Sequence, residues 1–409
     1  MTRTVWLLTA TLALTLLPSN VVPTAVPLLR QEWGASDAEL GGVFTAYRLG
    51  YLAAVLLILP LTDRWRASYV IGGCSAVAAL SFLLFPFVAY DPWSAALLRG
   101  AAGLGLAGVY LPGVRVVSAA SSAERRGLMV SIYVSAYYFG AALSLWASGT
   151  LLPSFGWRGA SVVLGAVSAL ALPLALLATW RVSPPPRRSA RFNLAVLRNG
   201  PTRRTILAYG AHSWELYISR AWLPAFLAAV LVGQGLGDVE AASEGAQWAG
   251  LIAGLGTAGV WIGGWLSDRW GRAQVAVTIA AASGCLSLVF GWLGWTGWGL
   301  LIAVGCAYGL LLAADSSIYS ATVTEVAPED QLGSAQAAQA FTASFASSVA
   351  PVAAGLVLDL GGGYGGAFAL AGLVGLAGAY NLLPLARRPV GTPGPAASSA
   401  TADAPQRLK

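Results

Sequence analysis

Six full charges stand inside stretches that are otherwise apolar: Arg48, Arg99, Arg115 and Arg220, against Glu215 and Asp315. Four cations against two anions leave a surplus of positive charge. A guanidinium presents a fork of donors that matches carboxylate-type oxygens in pairs, so a cavity bearing that surplus attracts and holds an anion. The densest polar set is His212-Ser213-Trp214-Glu215-Leu216-Tyr217-Ile218-Ser219-Arg220-Ala221-Trp222. His212, Glu215, Ser219 and Trp222 recur at spacings of three and four and form one stripe of a helix. Arg220, five positions beyond Glu215, is rotated roughly 140° away, so it need not neutralise that carboxylate. A carboxylate in a poorly hydrated cavity takes up a proton more readily, which suits a proton carrier, and His212 one turn away can share the proton. The alternative for His212, Glu215 and Ser219 is a helix-packing network.

Other chemistry lacks its residues. A single histidine excludes a histidine-rich metal site. Cys74, Cys285 and Cys306 show no CxxC spacing and each sits in an apolar run, so they are expected as buried small residues rather than thiol motifs or disulfides. No HExxH, clustered acidic site, GxSxG or nucleotide-binding loop is present. An enzyme is therefore not expected, and neither is a cofactor.

The elements that must position these charges follow from composition. The chain has 409 residues, 57% of them hydrophobic and only 10% charged, with a mean hydropathy of +0.68. A soluble domain carries about 25% charged residues, so this chain could not cover a water-facing surface. It reads as an all-α integral membrane protein, and its net charge of +7 calls for a membrane explanation rather than a nucleic-acid partner. Its expected partners are the lipid bilayer, a small solute and protons, and it is expected to work as a monomer.

Runs of about 20 apolar residues predict twelve spans, at 5–28, 39–59, 68–88, 93–119, 128–152, 159–180, 205–232, 246–266, 273–293, 298–323, 335–358 and 366–386. The first run is not followed by a convincing small-residue cleavage site, and Pro18, Pro23 and Pro27 continue it as a long kinked segment, so it is kept as a span. Ser36-Asp37-Ala38-Glu39 reads as a capping box starting the second span. With both termini on one side, eighteen of the 24 basic residues fall on that side, two (Arg30 and Arg158) on the other and four within spans. The excess of arginine makes that side cytoplasmic, placing the protein as a multi-pass chain of the cell membrane. The long basic connection with Pro184-Pro185-Pro186 divides the spans six and six. The expected organisation is an N-terminal bundle over 1–180, a cytoplasmic linker over 181–204, a C-terminal bundle over 205–386 and a disordered tail over 387–409.

Depth along the spans selects the candidates for solute binding. Arg48, the tenth residue from Glu39, lies near mid-membrane beside Tyr47 and Tyr51, and Arg220 lies about 22 Å along its helix from Thr205. Arg115 and Asp315 sit at similar depth before Glu124 and Glu325. Ser19 and Asn20, between prolines of the first span, offer polar contacts. Tyr133, Tyr137 and Tyr138, with Trp222, Phe341 and Phe345, are candidates for the cavity wall, although aromatic residues in spans are more often packing or interface anchors. Trp292, Trp295 and Trp298 read as an aromatic belt.

The halves echo each other. Thr62-Asp63-Arg64-Trp65 and Ser267-Asp268-Arg269-Trp270 are offset by 205 residues, and Gly103 and Gly309 by 206. Gly264-Trp265-Leu266-Ser267-Asp268-Arg269-Trp270-Gly271-Arg272 resembles the G-x-L-x-D-R-x-G-R loop of the major facilitator superfamily. In the N-terminal copy Leu59, Arg66 and Ala67 depart from that pattern. Arg99-Gly100-Ala101-Ala102-Gly103-Leu104-Gly105 resembles the family's R-x-x-x-G-x-G. The resemblance covers about residues 1–388 and implies two pseudo-symmetric six-helix bundles working by alternating access, with the first, fourth, seventh and tenth spans around the cavity. It makes an Arg115–Asp315 contact across the pathway plausible. It ties Arg99, nearer the periplasmic end, to proton coupling, with a snorkelling arginine as the alternative.

The loop's physics is readable from its residues. Its short turn holds Asp268 and Arg269 at the membrane face, where Asp268 can accept from a neighbouring helix N-terminus and Arg269 or Arg272 can meet Glu325. Asp63, Arg64 and Arg66 can meet Glu124 in the same way. The resemblance implies that such contacts gate the cytoplasmic side; topogenic charge is the plainer reading. The functional expectation is a secondary active transporter of a small organic or inorganic anion, coupled to protons. A proton-antiport efflux pump is the alternative, although the Gly-Pro motif of such exporters is missing from the fifth span. A ligand sensor is another, and the glycine signature of the nitrate branch is absent.

Overall fold

The computed structural model describes residues 2–58, 61, 65–122, 125–180 and 193–387, with no strand among them. A backbone crossing hydrocarbon must satisfy its polar groups within the segment, and helices do so. The first predicted span is three pieces, α1 (Thr2–Leu16), α2 (Val21–Thr24) and α3 (Val26–Trp33), interrupted around prolines that remove backbone donors. Then come α4 (Asp37–Leu57), α5 (Ala67–Val88), α6 (Pro92–Ala119), α7 (Arg126–Ala169) and α8 (Ala171–Thr179). The second half contains α9 (Gly200–Gly233), α10 (Asp238–Trp270), α11 (Arg272–Phe290), α12 (Trp298–Ala314), α13 (Ser316–Val326), α14 (Leu332–Val357) and α15 (Gly363–Ala386).

Among the described residues, ten helices are long and apolar enough to cross a membrane. Two of these runs, Arg126–Thr179 and Glu329–Ala386, have 54 and 58 residues. Each is roughly 80–90 Å long at 1.5 Å per residue, against a hydrocarbon core of about 30 Å, so each is long enough for two crossings. The turning points are Gly156 (φ 63°) and Gly361 (φ 83°). Ten such runs, two of them of double length, are consistent with the twelve expected crossings. The eighth begins earlier than its apolar run, at Asp238, because its first turns carry Asp238, Glu240 and Glu244 into the aqueous layer.

Caps mark the helix starts. Ser36 Oγ accepts from Glu39 N–H while Glu39 accepts from Ser36 N–H, the expected capping box. Asp91 and Ser94 cap α6 in the same way, and the Ser94 hydrogen bonds hold the Asp91 carboxyl below its ordinary range.

The repeat is visible in packing. In the first half α4 packs on α6, α1 on α7 and α5 on α8; in the second, α10 packs on α12, α9 on α14 and α11 on α15. Gly103 brings α6 against the Tyr47 carbonyl of α4, and Gly309 brings α12 against the Ile252 carbonyl of α10. The glycines offset by 206 residues do the same work, since helices without a hydrophobic drive between them associate through close small-residue contact. The halves meet along α4 with α14 and α7 with α10.

Cysteine placement corrects one expectation. Cys74 is buried, but Cys306 is half-buried and Cys285 exposed, because an apolar run in a membrane protein faces either lipid or core. Gly103→Val forces a side chain into backbone and should destabilise the protein by ~3 kcal/mol or more, at or above the top of the usual overpacking cost. Gly73→Val, on an open face of α5 with nothing within 4 Å, should change little. Thermal melts of the detergent-solubilised protein would compare the two.

Candidate functional site

A cavity lies between the halves, lined from α1, α2, α4, α6 and α7 on one side and α9, α10, α12 and α14 on the other. Arg48, Arg99 and Arg220 line it, together with Tyr47, Tyr137, Tyr138 and Tyr217, and among the described residues no aspartate or glutamate does. Among the described residues none of these arginines makes an ion pair.

Aromatic faces hold the guanidinium groups instead. Arg48 projects from α4 with its guanidinium carbon 4.2 Å from the Tyr217 ring centroid and 4.6 Å from that of Tyr51. Its Nε donates to Ser347 Oγ of α14 at 3.1 Å. Arg99 lies 4.2 Å over Tyr47. Arg220 is ringed by Tyr217, Tyr138 and Tyr137 at 5.3, 5.5 and 5.8 Å, and Nη1 donates to Tyr217 Oη at 3.4 Å. A charge at mid-span costs roughly 2.5–3.5 kcal/mol on an insertion scale. A desolvated cation–π contact returns about 2 kcal/mol, so two rings can offset the cost for Arg48 without a carboxylate. Each cation then keeps donors for something else. Arg48 Nη1, Arg99 Nε and Tyr47 Oη are buried and have no hydrogen-bond partner.

Asn20, Ser19, Tyr47 and Tyr137 reach the cavity as expected. Asn20 is fixed by donating from Nδ2 to the Ala141 carbonyl and from its backbone N–H to Ser144 Oγ, both at 2.9 Å. Arg99 lines the cavity rather than sitting apart near the helix end, because α6 closes on α4 through Gly100 and Gly103 and lays the side chain along Tyr47.

Several expected positions differ. Arg115 is exposed on α6 and is not among the lining residues; the buried Asp315 carboxylate lies 2.8 Å from His212 Nδ1, so the expected pair across the pathway is replaced by one inside the second half. Trp222 is fully buried, donates from Nε1 to the Pro351 carbonyl at 3.0 Å and packs edge-on to Phe44, bracing the two halves outside the cavity lining. Glu215 also stays out of the cavity: its Oε1 accepts from Ser283 Oγ of α11 at 2.7 Å, with Gly375 of α15 against it. Of the stripe, His212, Glu215 and Trp222 turn into the second half, while Ser219 lines the cavity together with Tyr217 and Arg220. Tyr133 packs inside the first half with its hydroxyl on the Val109 carbonyl, and Phe341 and Phe345 are exposed. The weight of Tyr217, in contact with both Arg48 and Arg220, was missed; its i, i+3 spacing from Arg220 was the available signal.

At the predicted gate, Asp63, Arg64 and Glu124 lie outside the described residues. Arg66 donates to the Trp180 carbonyl at 3.0 Å. Arg272 pairs with Glu325, as one of the two expected arginines, while Arg269 lies 4.2 Å over the Trp265 ring. Asp268 is 3.6 Å from Arg272 rather than on a neighbouring helix terminus, its side chain turned to the surface. Gly271 (φ 90°) makes the turn between α10 and α11, a conformation that favours glycine.

Beyond the cavity the halves close on each other. The Asp359 carboxylate accepts from the N–H groups of Asp37 and Ala38 at the start of α4, both at 2.8 Å. Gly41 of α4 abuts the Pro351 and Val352 backbone, Gly355 of α14 abuts Asp37, and Thr45 donates to the Ser348 carbonyl. On the other seam Ser243 donates to the Gly149 carbonyl at 2.8 Å, and Gly250 sits against Ala142 and Trp146.

A family model described as Major Facilitator Superfamily matches residues 8–351 and 246–408. The chain is 27% identical over 406 residues to a gallate transporter of Pseudomonas putida, covering 87% of this chain and 85% of that one. It is 28% identical over 211 residues to a probable sulfoacetate transporter of Cupriavidus necator, covering 50% of this chain and 48% of that one. Among solved structures it resembles a bacterial homologue of the human lysosomal transporter Spinster in an inward-facing, unoccupied conformation. That likeness has a TM-score of 0.70 at 16% identity and covers 94% of this chain and 95% of that one.

Removing the acceptor at the start of α4 tests the closed end. With native cysteines replaced and Asn20→Cys as reporter, Asp359→Ala should raise labelling by a membrane-impermeant maleimide added on that side roughly 5- to 10-fold. A hydrogen bond to a charged group is worth about 1.5–3 kcal/mol when shielded, and this carboxylate is exposed. An unchanged rate would assign the closure to glycine packing alone.

Proposed function

The chain belongs to the major facilitator superfamily, and we propose that it is a secondary carrier moving a small organic anion across the membrane by alternating access, coupled to protons. One observation carries this reading: the cavity is lined by three arginines and no carboxylate, with donors of Arg48 and Arg99 left unpartnered. A bound carboxylate or sulfonate supplies the missing acceptors, and charge-assisted pairs of this kind are the strong ones. The tyrosines and leucines around the arginines suit the organic part of the solute. Gallate and sulfoacetate, named for the two relatives, are both small organic anions.

In this reading residues 1–180 and 205–386 rock as two bundles joined by the linker over 181–204. The arginine distribution puts the termini and the Arg272–Glu325 pair on the cytoplasmic side, so the end closed by Asp359 faces outward and the cavity is reached from within. An exposed ion pair such as Arg272–Glu325 is worth about 0–1 kcal/mol. That is weak enough for a latch to open and close. Proton coupling draws support from acidic groups buried in the second half, Glu215 and Asp315, at 3% exposure each, where the anion does not compete for them.

A thermal-shift screen of the purified protein against gallate, sulfoacetate, sugar acids, amino acids and neutral drugs should single out the acids. Arg48→Ala and Arg220→Ala should each weaken binding of the best acid roughly 10- to 150-fold by titration calorimetry, the equivalent of about 1.5–3 kcal/mol for a hydrogen bond to a charged group. Undiminished affinity in both variants would remove the anion reading.

A further inference from the structure

The cavity cations divide between the two halves, and each half's arginine lies against tyrosines of the other. Arg48 of α4 lies 4.2 Å over the Tyr217 ring of α9 and donates from Nε to Ser347 Oγ of α14 at 3.1 Å. Arg220 of α9 faces Tyr138 and Tyr137 of α7 at 5.5 and 5.8 Å. Tyr217 serves both cations, its ring centroid lying 5.3 Å from the Arg220 guanidinium carbon. The Arg48 and Arg220 guanidinium carbons therefore stand no farther apart than their distances to that one ring laid end to end. Arg99 of α6 joins Arg48 on the side of the first half, over Tyr47.

Donor capacity remains on both sides. In the first half Arg48 Nη1, Arg99 Nε and Tyr47 Oη have no hydrogen-bond partner, on residues at 7%, 4% and 7% exposure, so bulk water does not satisfy them. In the second, Arg220 Nη1 reaches Tyr217 Oη at 3.4 Å, beyond the usual N–H···O range of about 2.7–3.2 Å. Tyr217 Oη makes a second long contact of 3.4 Å with Tyr137 Oη. A guanidinium held this loosely turns readily to a stronger acceptor. Among the described residues no carboxylate lines the cavity, and the buried acids are engaged elsewhere, Glu215 with Ser283 and Asp315 beside His212.

The charge balance then selects the solute. Three guanidinium groups confined to one poorly hydrated hollow repel one another. A solute with one negative charge leaves two of them uncompensated, whereas a solute with two leaves one. Resting on the anion-carrier reading above, we infer that the solute is a dianion, with two acid groups on a short organic body, the first held by Arg48 and Arg99 and the second by Arg220. Each acid group then finds a fork of donors matched to carboxylate or sulfonate oxygens. The body is short because Arg48 and Arg220 both lie against one tyrosine ring. Arg220 is the residue that tells two acid groups from one, since the unpartnered donors of the first half serve either solute. A dianion also joins a cation of each half to one molecule and draws the halves together, which a monoanion on Arg48 and Arg99 alone does not.

The test compares matched pairs on the full chain in detergent, by titration calorimetry at about pH 7.5, where carboxylates are ionised. Succinate is set against succinamate, and sulfoacetate against its carboxamide, so that each pair differs by one acid group replaced with a neutral amide of similar shape. Each diacid should bind roughly 10- to 150-fold more tightly than its amide, the return on one further hydrogen bond to a charged group. Arg220→Gln should reduce that ratio to less than about threefold. Arg203→Gln, an equal loss of charge at the exposed start of the same helix, should keep it. A diacid and amide bound alike by the native protein, or a ratio that survives Arg220→Gln, overturns the dianion while leaving the anion carrier intact, with gallate, a monocarboxylate, as its probe. If gallate and all four matched compounds go unbound, the anion reading itself fails and the dianion with it.

Discussion

The constraint on which the rest of the structure turns is the presence of guanidinium groups in a lipid-buried hollow with no carboxylate to match them. Arg48, Arg99 and Arg220 stay inside because tyrosine faces offset much of their desolvation. A carboxylate partner would neutralise the site before a solute arrived. An aromatic ring stabilises the cation yet leaves its hydrogen-bond donors free, as the unpartnered atoms of Arg48 and Arg99 show. Tyr217 serves both bundles in this way, touching Arg48 of the first and Arg220 of the second.

A hollow of this kind requires two bodies that touch closely in one place and separate in another. Glycine supplies the close contact. Within each half Gly103 and Gly309 hold equivalent helix pairs together, while across the halves Gly41, Gly250 and Gly355 let backbones approach. The polar contacts that accompany them, Asp359 at the start of α4 and Ser243 on the Gly149 carbonyl, are few and individually weak. Such an interface suits the alternating access proposed above.

The buried acids of the second half, Glu215 and Asp315, do not line the cavity. Glu215 rests among Ser283, Tyr308 and Gly375, and Asp315 beside His212. In the proposed carrier this separates the positive charge that would meet an anion from the groups suited to a proton.

The sequence by itself determined the membrane class, the paired glycines, the capping box at Ser36 and the identity of the buried charges. Each of these depends on composition or on contacts within a few residues, where hydropathy and spacing carry the information. Only the tertiary structure decided which face of each helix meets the cavity. Trp222 and Glu215 turn away from it although Ser219, on the same stripe, lines it; Arg115 lies on an exposed face, and Arg99 is drawn inward by the packing of α6 on α4. In a membrane-spanning helix both the lipid side and the protein side are apolar, so periodicity alone does not orient a charge; rotation about the helix axis is set by neighbours far away in the chain, such as Tyr47 for Arg99 and Pro351 for Trp222.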